Sequence, residues 1–183
     1  MSLQSLIGSD GYNRVVNARH GHFLYNAHDI YVGRSIGVYG EYSEGEVALF
    51  SQICGLGDTV VEVGANIGAH TVPLARMVSP GGYVHAFEPQ RLVYQTLCAN
   101  VALNSLTNVR SYELALASEA GHAHMPNIRH DADGNFGGIT LSEEYAENTL
   151  AVHKLALDDL LHLPRLRLLK ADVEGMEIDV LRG

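Results

Sequence analysis

The most informative stretch of the chain reads Thr59-Val60-Val61-Glu62-Val63-Gly64-Ala65-Asn66-Ile67-Gly68. Its three valines are β-branched, which suits a strand buried on both faces of a parallel sheet. Gly64 and Gly68 permit a sharp turn and a close approach of the backbone to a ligand. Apolar residues at helical spacing then predict a helix over 69–77, whose first N–H groups lack intrahelical partners. The stretch therefore predicts a strand, a nucleotide-binding loop and a helix.

A second apolar strand, Tyr83 to Glu88, ends about 24 residues after Gly64. An acid at this place can accept both hydroxyls of a ribose. Asn66 stands where a dinucleotide-binding loop has its second glycine, and Glu62 adds a negative charge that disfavours a pyrophosphate. A cationic nucleoside without phosphate, such as S-adenosylmethionine, suits these residues better, and a nicotinamide-dependent oxidoreductase is the alternative enzyme.

Ordered motifs along the chain resemble the FkbM family of class I methyltransferases. They are Gly40-Glu41-Tyr42-Ser43-Glu44, Val63-Gly64-Ala65-Asn66-Ile67-Gly68, Phe87-Glu88-Pro89, Asn100 with Asn104, Asn135-Phe136-Gly137-Gly138, Leu157-Asp158-Asp159-Leu160 and Lys170-Ala171-Asp172-Val173-Glu174-Gly175-Met176-Glu177. The resemblance covers roughly residues 24 to 183. It implies a Rossmann-like α/β sheet with flanking helices, S-adenosylmethionine as cofactor, and O-methylation of a hydroxyl on a small molecule, sugar or natural product.

The residues expected to bind the cofactor follow from these motifs. Ala115 and Leu116 match the place where the fold contacts adenine, and Tyr42 and Glu44 are expected to close over the methionine end unless they only cap a helix. The full expected set is Glu62, Gly64, Ala65, Asn66, Gly68, Glu88, Pro89, Ala115, Leu116, Tyr42 and Glu44.

Asp172 and Glu174 are the expected catalytic residues, because ligand-facing groups of doubly wound folds follow the carboxyl ends of the strands. A methyl transfer to a hydroxyl needs alignment and removal of one proton. The alternatives are a helix cap for Asp172, a helix-dipole role for Glu174, and a divalent metal held by both, although no third ligand is evident. His130 is a further candidate base because it lies in a polar loop.

Alternating patterns divide the chain into a single predicted methyltransferase domain, 1–183. An N-terminal extension, 1–40, contains a hairpin between about Val15 and Val32. Strands are predicted at 109–116 and 166–172, with helices at 92–103 and 174–181, so that strand and helix alternate as in a parallel sheet. Residues 121–153 interrupt this rhythm with polar and glycine-rich segments, which predicts an inserted hairpin that acts as a lid or lies on the surface.

The resemblance to class I methyltransferases implies a sheet of seven strands, and only four are predicted before Gly183. We therefore expect a chain truncated after the fourth strand, with an exposed sheet edge that favours a homo-oligomer. A fragment that binds cofactor without turnover is the alternative outside the enzymes.

Bulk properties exclude some function classes. A length of 183 residues and a hydrophobic fraction of 46% suit one core. The net charge of −9 argues against binding to nucleic acid. Cys54 and Cys98 lack metal or redox spacing, and the pairs His20/His22 and His122/His124 lack acidic partners, so no metal site is expected. No membrane span or signal peptide is evident, which indicates the cytoplasm.

Overall fold

The computed structural model describes residues 11–183; the first ten residues of the predicted N-terminal extension lie outside this range. The elements in chain order are β1 (Asn13–Ala18), β2 (Gly21–Asn26), α1 (Val32–Tyr39), α2 (Glu44–Ile53), β3 (Thr59–Val63), α3 (Thr71–Val78), β4 (Tyr83–Phe87), α4 (Arg91–Leu103), β5 (Val109–Tyr112), β6 (Ala115–Leu116), β7 (Gly121–Pro126), β8 (Thr149–Leu155), α5 (Leu157–Leu160), β9 (Leu168–Ala171) and α6 (Glu177–Val180).

A parallel sheet of four strands forms the centre of the molecule, in the order β5-β4-β3-β9. Residues of β3 are buried on both faces, because Val60 packs with α2 and α3 while Val61 and Val63 pack with α6 and the segment around Leu116. The predicted α/β class with a Rossmann-like parallel sheet and flanking helices is confirmed. The carboxyl ends of β3, β4 and β9 meet at one edge, where such folds bind ligands.

The predicted strand 109–116 is wrong as a single element. The chain forms β5 in the central sheet and then β6 in a second sheet, ordered β6-β8-β7. Tyr112 lies opposite Phe87, the last residue of β4, and its ring stacks on that of Phe87 at 4.6 Å between centroids. Beyond Tyr112 β4 offers no further strand partner, so the chain leaves the sheet and pairs Ala115 and Leu116 with β8 instead.

The strands β1 and β2 form an antiparallel hairpin that is attached to α4 by two asparagine side chains. Asn100 accepts from the Leu24 N–H at 2.6 Å and donates to the Leu24 carbonyl at 3.0 Å. Asn104, one helical turn later, makes the same pair of bonds with His22 at 3.0 and 2.7 Å. The two amides therefore satisfy the outer edge of β2 as a neighbouring strand would.

Residues 127–148 join the antiparallel strands β7 and β8 and reach the N-terminal hairpin. The Gly134 carbonyl accepts from the Ile30 N–H at 3.1 Å, and the His130 carbonyl accepts from the Asn26 side chain at 2.8 Å. Phe136 is 5% exposed and packs with Phe23 and Ile67 in a common cluster. The inserted segment is thus packed against the domain at Phe136. Over residues 11–183, every helix is too short or too polar to cross a membrane.

Candidate functional site

Two adjoining cavities open at the carboxyl ends of β3, β4 and β9. The larger, of about 340 Å³, is called here the polar compartment. It is lined by Tyr31, Val32, Tyr42, Glu62, Gly64, Ala65, Asn66, Ala69, His70, Glu88, Asn135, Gly137, Gly138, Lys170, Asp172 and Glu174. The smaller, of about 60 Å³, is called the apolar compartment because most of its lining residues are apolar, namely Val63, Pro89, Leu114, Ala115, Leu116, Met125, Phe136, Ile139, Leu141, Val173 and Met176. Both compartments include Gly64, Glu88, Gly137, Asp172 and Glu174, so they form one cleft.

Gly64 allows the loop after β3 to lie directly against the loop after β9. Its φ of +75° is in the left-handed region, and a Cβ atom here would lie 2.0 Å from the carbonyl oxygen of Asp172. A side chain would therefore clash with backbone. Gly68 has another function: it lines neither compartment, and a Cβ atom there would lie 2.8 Å from Leu97 in α4.

Asn66 occupies the place of the missing second glycine. It adopts a φ of +52°, and its side-chain oxygen accepts from the Ile67 N–H at 2.7 Å. A short polar side chain that bonds its own backbone tolerates this conformation. The loop can therefore close without glycine, and the Asn66 amide reaches Gly137, where an added Cβ would lie 2.4 Å from it.

Glu88 lies at the boundary of the two compartments. It is buried, and its two carboxylate oxygens accept from the Asn66 and Gln90 N–H groups, each at 2.9 Å. Burial raises the pKa of Glu88 to about 7, although both backbone hydrogen bonds oppose the shift. Each oxygen keeps lone-pair capacity for a ligand.

Glu62 and Lys170 form the charged floor of the polar compartment. Glu62 is 1% exposed, and its Oε2 accepts from the Thr71 hydroxyl at 2.6 Å. Its Oε1 has no hydrogen-bond partner within residues 11–183 and lies 3.9 Å from the Lys170 Nζ, which is also 3.5 Å from the Asp172 Oδ2. Burial raises the pKa of Glu62, and the charge of Lys170 opposes this.

His70 is neutral at pH 7, because burial lowers its pKa to about 4. Its ring lies 5.6 Å from that of Tyr42 and 5.4 Å from that of Phe50. Tyr42 and His70 thus line the polar compartment side by side, and contact of Tyr42 with the methionine end stays a prediction. His70 had not been predicted as a lining residue, and nothing in its local pattern distinguishes it from a core histidine.

Asp172 and Glu174 both line the cleft, but Glu174 does not open a helix. Its φ is +51°, Gly175 follows at +97°, and α6 begins only at Glu177. The predicted start of that helix at 174 is wrong, because two left-handed residues turn the chain first. Asp172 directly follows β9, and its side chain is 62% exposed at the mouth of the cleft.

Most of the other predicted cofactor residues come together here, whereas Glu44 and the candidate base His130, like Gly68, line neither compartment. Ala65 lies in the polar compartment, while Pro89, Ala115 and Leu116 lie in the apolar one. Glu44 instead faces the hairpin, where its Oε1 lies 2.7 Å from the His20 Nε2. His130 packs on Phe136 at 4.6 Å and lines a separate cavity.

Lys170 is the lining residue whose importance the sequence pattern could have revealed. Glu62 and Lys170 are direct partners in the parallel register of β3 and β9. A charged residue within each of two otherwise apolar strands, placed opposite each other, is unusual for a buried sheet. Side chains two residues apart on a strand share a face, which also relates Lys170 to Asp172.

Comparison with known proteins gives relatives of one kind. Methyltransferase 1 of Beauveria bassiana is 31% identical over 143 residues, covering 68% of this chain and 57% of that protein. Methyltransferase sdnD of Sordaria araneosa is 30% identical over 162 residues, covering 68% and 59%. The chain thus spans less than two thirds of the length of either relative.

The chain also matches solved structures, at lower sequence identity than these two relatives. TYW2 of M. jannaschii in complex with AdoMet is 16% identical, with a TM-score of 0.47 over 80% of this chain and 86% of that one. Trm5b of Pyrococcus abyssi is 14% identical, with a TM-score of 0.44 over 61% and 34%.

The family model supplies the assignment. The model of the methyltransferase FkbM domain matches residues 62–183, which is two thirds of the chain and includes the loop after β3, Glu88 and the segment from Lys170 to Glu177. The chain belongs to the FkbM methyltransferase family.

Proposed function

We propose that this chain binds S-adenosylmethionine in the cleft and transfers its methyl group to a hydroxyl of a small molecule, sugar or natural product. The observation that carries the proposal is the position of Glu88, a buried carboxylate shared by an apolar and a polar compartment. S-adenosylmethionine has a matching order of groups: an apolar adenine ring, a ribose that suits Glu88, and a charged amino-acid end. Membership of the FkbM methyltransferase family supports methyl transfer.

The two compartments accept different parts of this cofactor. Ala115, Leu116 and Pro89 would hold the adenine ring, and Glu88 would accept from the ribose hydroxyls. The polar compartment, beyond Gly64 and Asn66, would hold the methionine end, and Glu62 would offer a negative charge to its ammonium. When bound, the cofactor supplies a methyl group on a positively charged sulfur.

Asp172 is the proposed general base, because its carboxylate is exposed at the mouth of the cleft where an acceptor enters. With the cofactor bound, its sulfonium would supply the methyl group and keep the electron pair of the carbon–sulfur bond, and Asp172 would accept the proton of the acceptor hydroxyl. Glu174 lies beside it at the same opening and positions the acceptor.

The cofactor site is tested by calorimetric titration with S-adenosylhomocysteine. Glu88→Ala removes the ribose acceptor, so we expect weaker binding by roughly 1–3 kcal/mol. Glu119→Ala, an exposed substitution outside both compartments, is the matched control and should bind as the wild type. Absence of binding by folded wild-type protein, or a rise in melting temperature with NAD instead, would count against the proposal.

The reaction is tested by transfer of an isotopically labelled methyl group to a panel of acceptors that carry hydroxyl, amine or carboxylate groups. We expect labelled ether products, and Asp172→Asn should lower kcat by about 10²- to 10⁴-fold, the usual contribution of a general base. Products methylated only on nitrogen would refute the hydroxyl assignment. Binding without turnover on every acceptor would favour a non-catalytic cofactor-binding domain.

A further inference from the structure

We propose that Lys170 is the residue that binds the carboxylate of the cofactor's methionine end, so that the polar compartment recognises a zwitterion rather than a simple cation. The inference rests on the proposed cofactor and adds a binding residue and a selectivity to it. Its basis is the charge distribution over the lining of the polar compartment.

Four carboxylates line this compartment, those of Glu62, Glu88, Asp172 and Glu174. A ligand carboxylate placed among them is repelled unless a cation compensates it. Lys170 is the one Lys or Arg among the lining residues that the structure describes. An anionic ligand group can therefore be neutralised at a single place.

Two carboxylates position the Lys170 ammonium where it can bind an anionic ligand group. Its side chain is 9% exposed, and its Nζ lies 3.9 Å from the Glu62 Oε1 and 3.5 Å from the Asp172 Oδ2. Both distances exceed those of good hydrogen bonds, so the carboxylates fix the position of the ammonium without using its donors fully. The buried Glu62 Oε1, which lacks a hydrogen-bond partner in the described part of the chain, completes the opposite charge.

The order of the two compartments places the amino-acid end of the cofactor near Lys170. If the adenine lies in the apolar compartment and the ribose on Glu88, the remaining part of the ligand extends over the loop after β3. Glu62 and Lys170, which face each other across β3 and β9, form the floor at that side. The ligand ammonium then meets Glu62 and the ligand carboxylate meets Lys170.

Two ligands separate this role from a general effect on the site. S-adenosylhomocysteine carries the amino-acid group, whereas 5′-methylthioadenosine has the same nucleoside and thioether without it. We expect Lys170→Met to weaken S-adenosylhomocysteine about 10- to 100-fold, the value of a charged hydrogen bond, and to leave 5′-methylthioadenosine unchanged. Lys170→Arg keeps the cation and should retain most of the affinity.

Arg110→Met removes a cation from the far edge of the sheet and is the matched control, expected to bind both ligands as the wild type. Melting curves establish that each variant is folded. Unchanged binding of S-adenosylhomocysteine by Lys170→Met overturns the inference, and so does an equal loss of both ligands. Failure of the wild type to bind S-adenosylhomocysteine would instead overturn the proposed function.

Discussion

Glu88 makes ligand binding depend on pH in the neutral range. With a pKa raised to about 7 by burial, it is mostly protonated at pH 6 and mostly ionised at pH 8. Because the ionised form accepts both ribose hydroxyls, we expect the affinity for adenosine to rise up to about tenfold between these values. Titrations of the wild type at both pH values measure this change.

Two controls belong to that experiment. Glu88→Gln should remove the pH dependence, and 2′,3′-dideoxyadenosine should show none with the wild type. The folding stability of the free protein depends on pH in the opposite direction. The raised pKa of Glu88 contributes stability that is fully present below about pH 4.5 and is lost as the pH rises through about 7. Adenosine affinity that does not change from pH 6 to pH 8 would mean that Glu88 does not contact the ribose.

Gly64→Ala should destabilise the fold. The left-handed backbone alone costs roughly 1–2 kcal/mol for alanine, and the Cβ contact of 2.0 Å with the Asp172 carbonyl adds to this. Urea titration measures the free energy of unfolding. Gly45→Ala, in α2 with no atom near its added Cβ, is the control and should leave stability unchanged or raise it by up to about 1 kcal/mol. Equal stability of the two variants would show that the loops after β3 and β9 yield easily.

At the scale of elements, α4 holds the N-terminal hairpin through Asn100 and Asn104. Asn104→Ala leaves the His22 N–H and carbonyl without these partners, so we expect a loss of roughly 1–2 kcal/mol. Hydrogen exchange should accelerate in β2 while β3 and β4 stay protected. The control is Asn17→Ala, since Asn17 is exposed on β1 opposite His22. Unchanged exchange at His22 would argue that apolar packing alone attaches the hairpin.

The sequence predicted those elements whose burial follows from a short pattern of neighbouring residues. The valines of β3 and the glycines after it specify a buried strand and a turn in any parallel sheet, and both were found. The strand predicted over 109–116 failed because its end depends on where β4 ends, which is a property of the partner strand. The place of Glu44 outside the cleft has a similar cause, since its ion pair with His20 exists only once the hairpin has docked.

The residues of the candidate site also divide into those that local sequence predicts and those that depend on tertiary structure. Glu88 and Asp172 were predicted because both directly follow strands of one sheet, whose carboxyl ends share an edge. Lys170 and His70 were missed because their surroundings come from register and from packing between distant segments. Local sequence shows that Lys170 is a charged residue within an apolar strand, but it does not show that Glu62 lies opposite it or that His70 packs on Phe50.

For the molecule as a whole, β9 is an edge strand in the described sheet, and association through it stays a prediction. An edge with unpaired backbone groups favours pairing with another chain, and a lysine on the edge opposes it. We expect light scattering to show concentration-dependent oligomers that Leu166→Lys diminishes, because this exposed leucine lies two residues before β9 along the same edge. Leu49→Lys, an exposed position on α2, should leave them unchanged. A monodisperse wild-type monomer with a sharp cooperative melting transition would contradict the prediction.

The attachment of the hairpin by asparagine also bears on how the protein ages. Asparagine is chemically labile, and its side chain deamidates to a carboxylate. Asn104 is followed by Ser105, a small residue that gives the reacting backbone nitrogen little steric protection. Deamidation there would replace the amide that donates to the His22 carbonyl with a negative charge facing it. Long storage at alkaline pH should therefore produce molecules with an intact central sheet and a hairpin that opens more often, because only the Asn100 bonds and the packing of Phe23 then hold it.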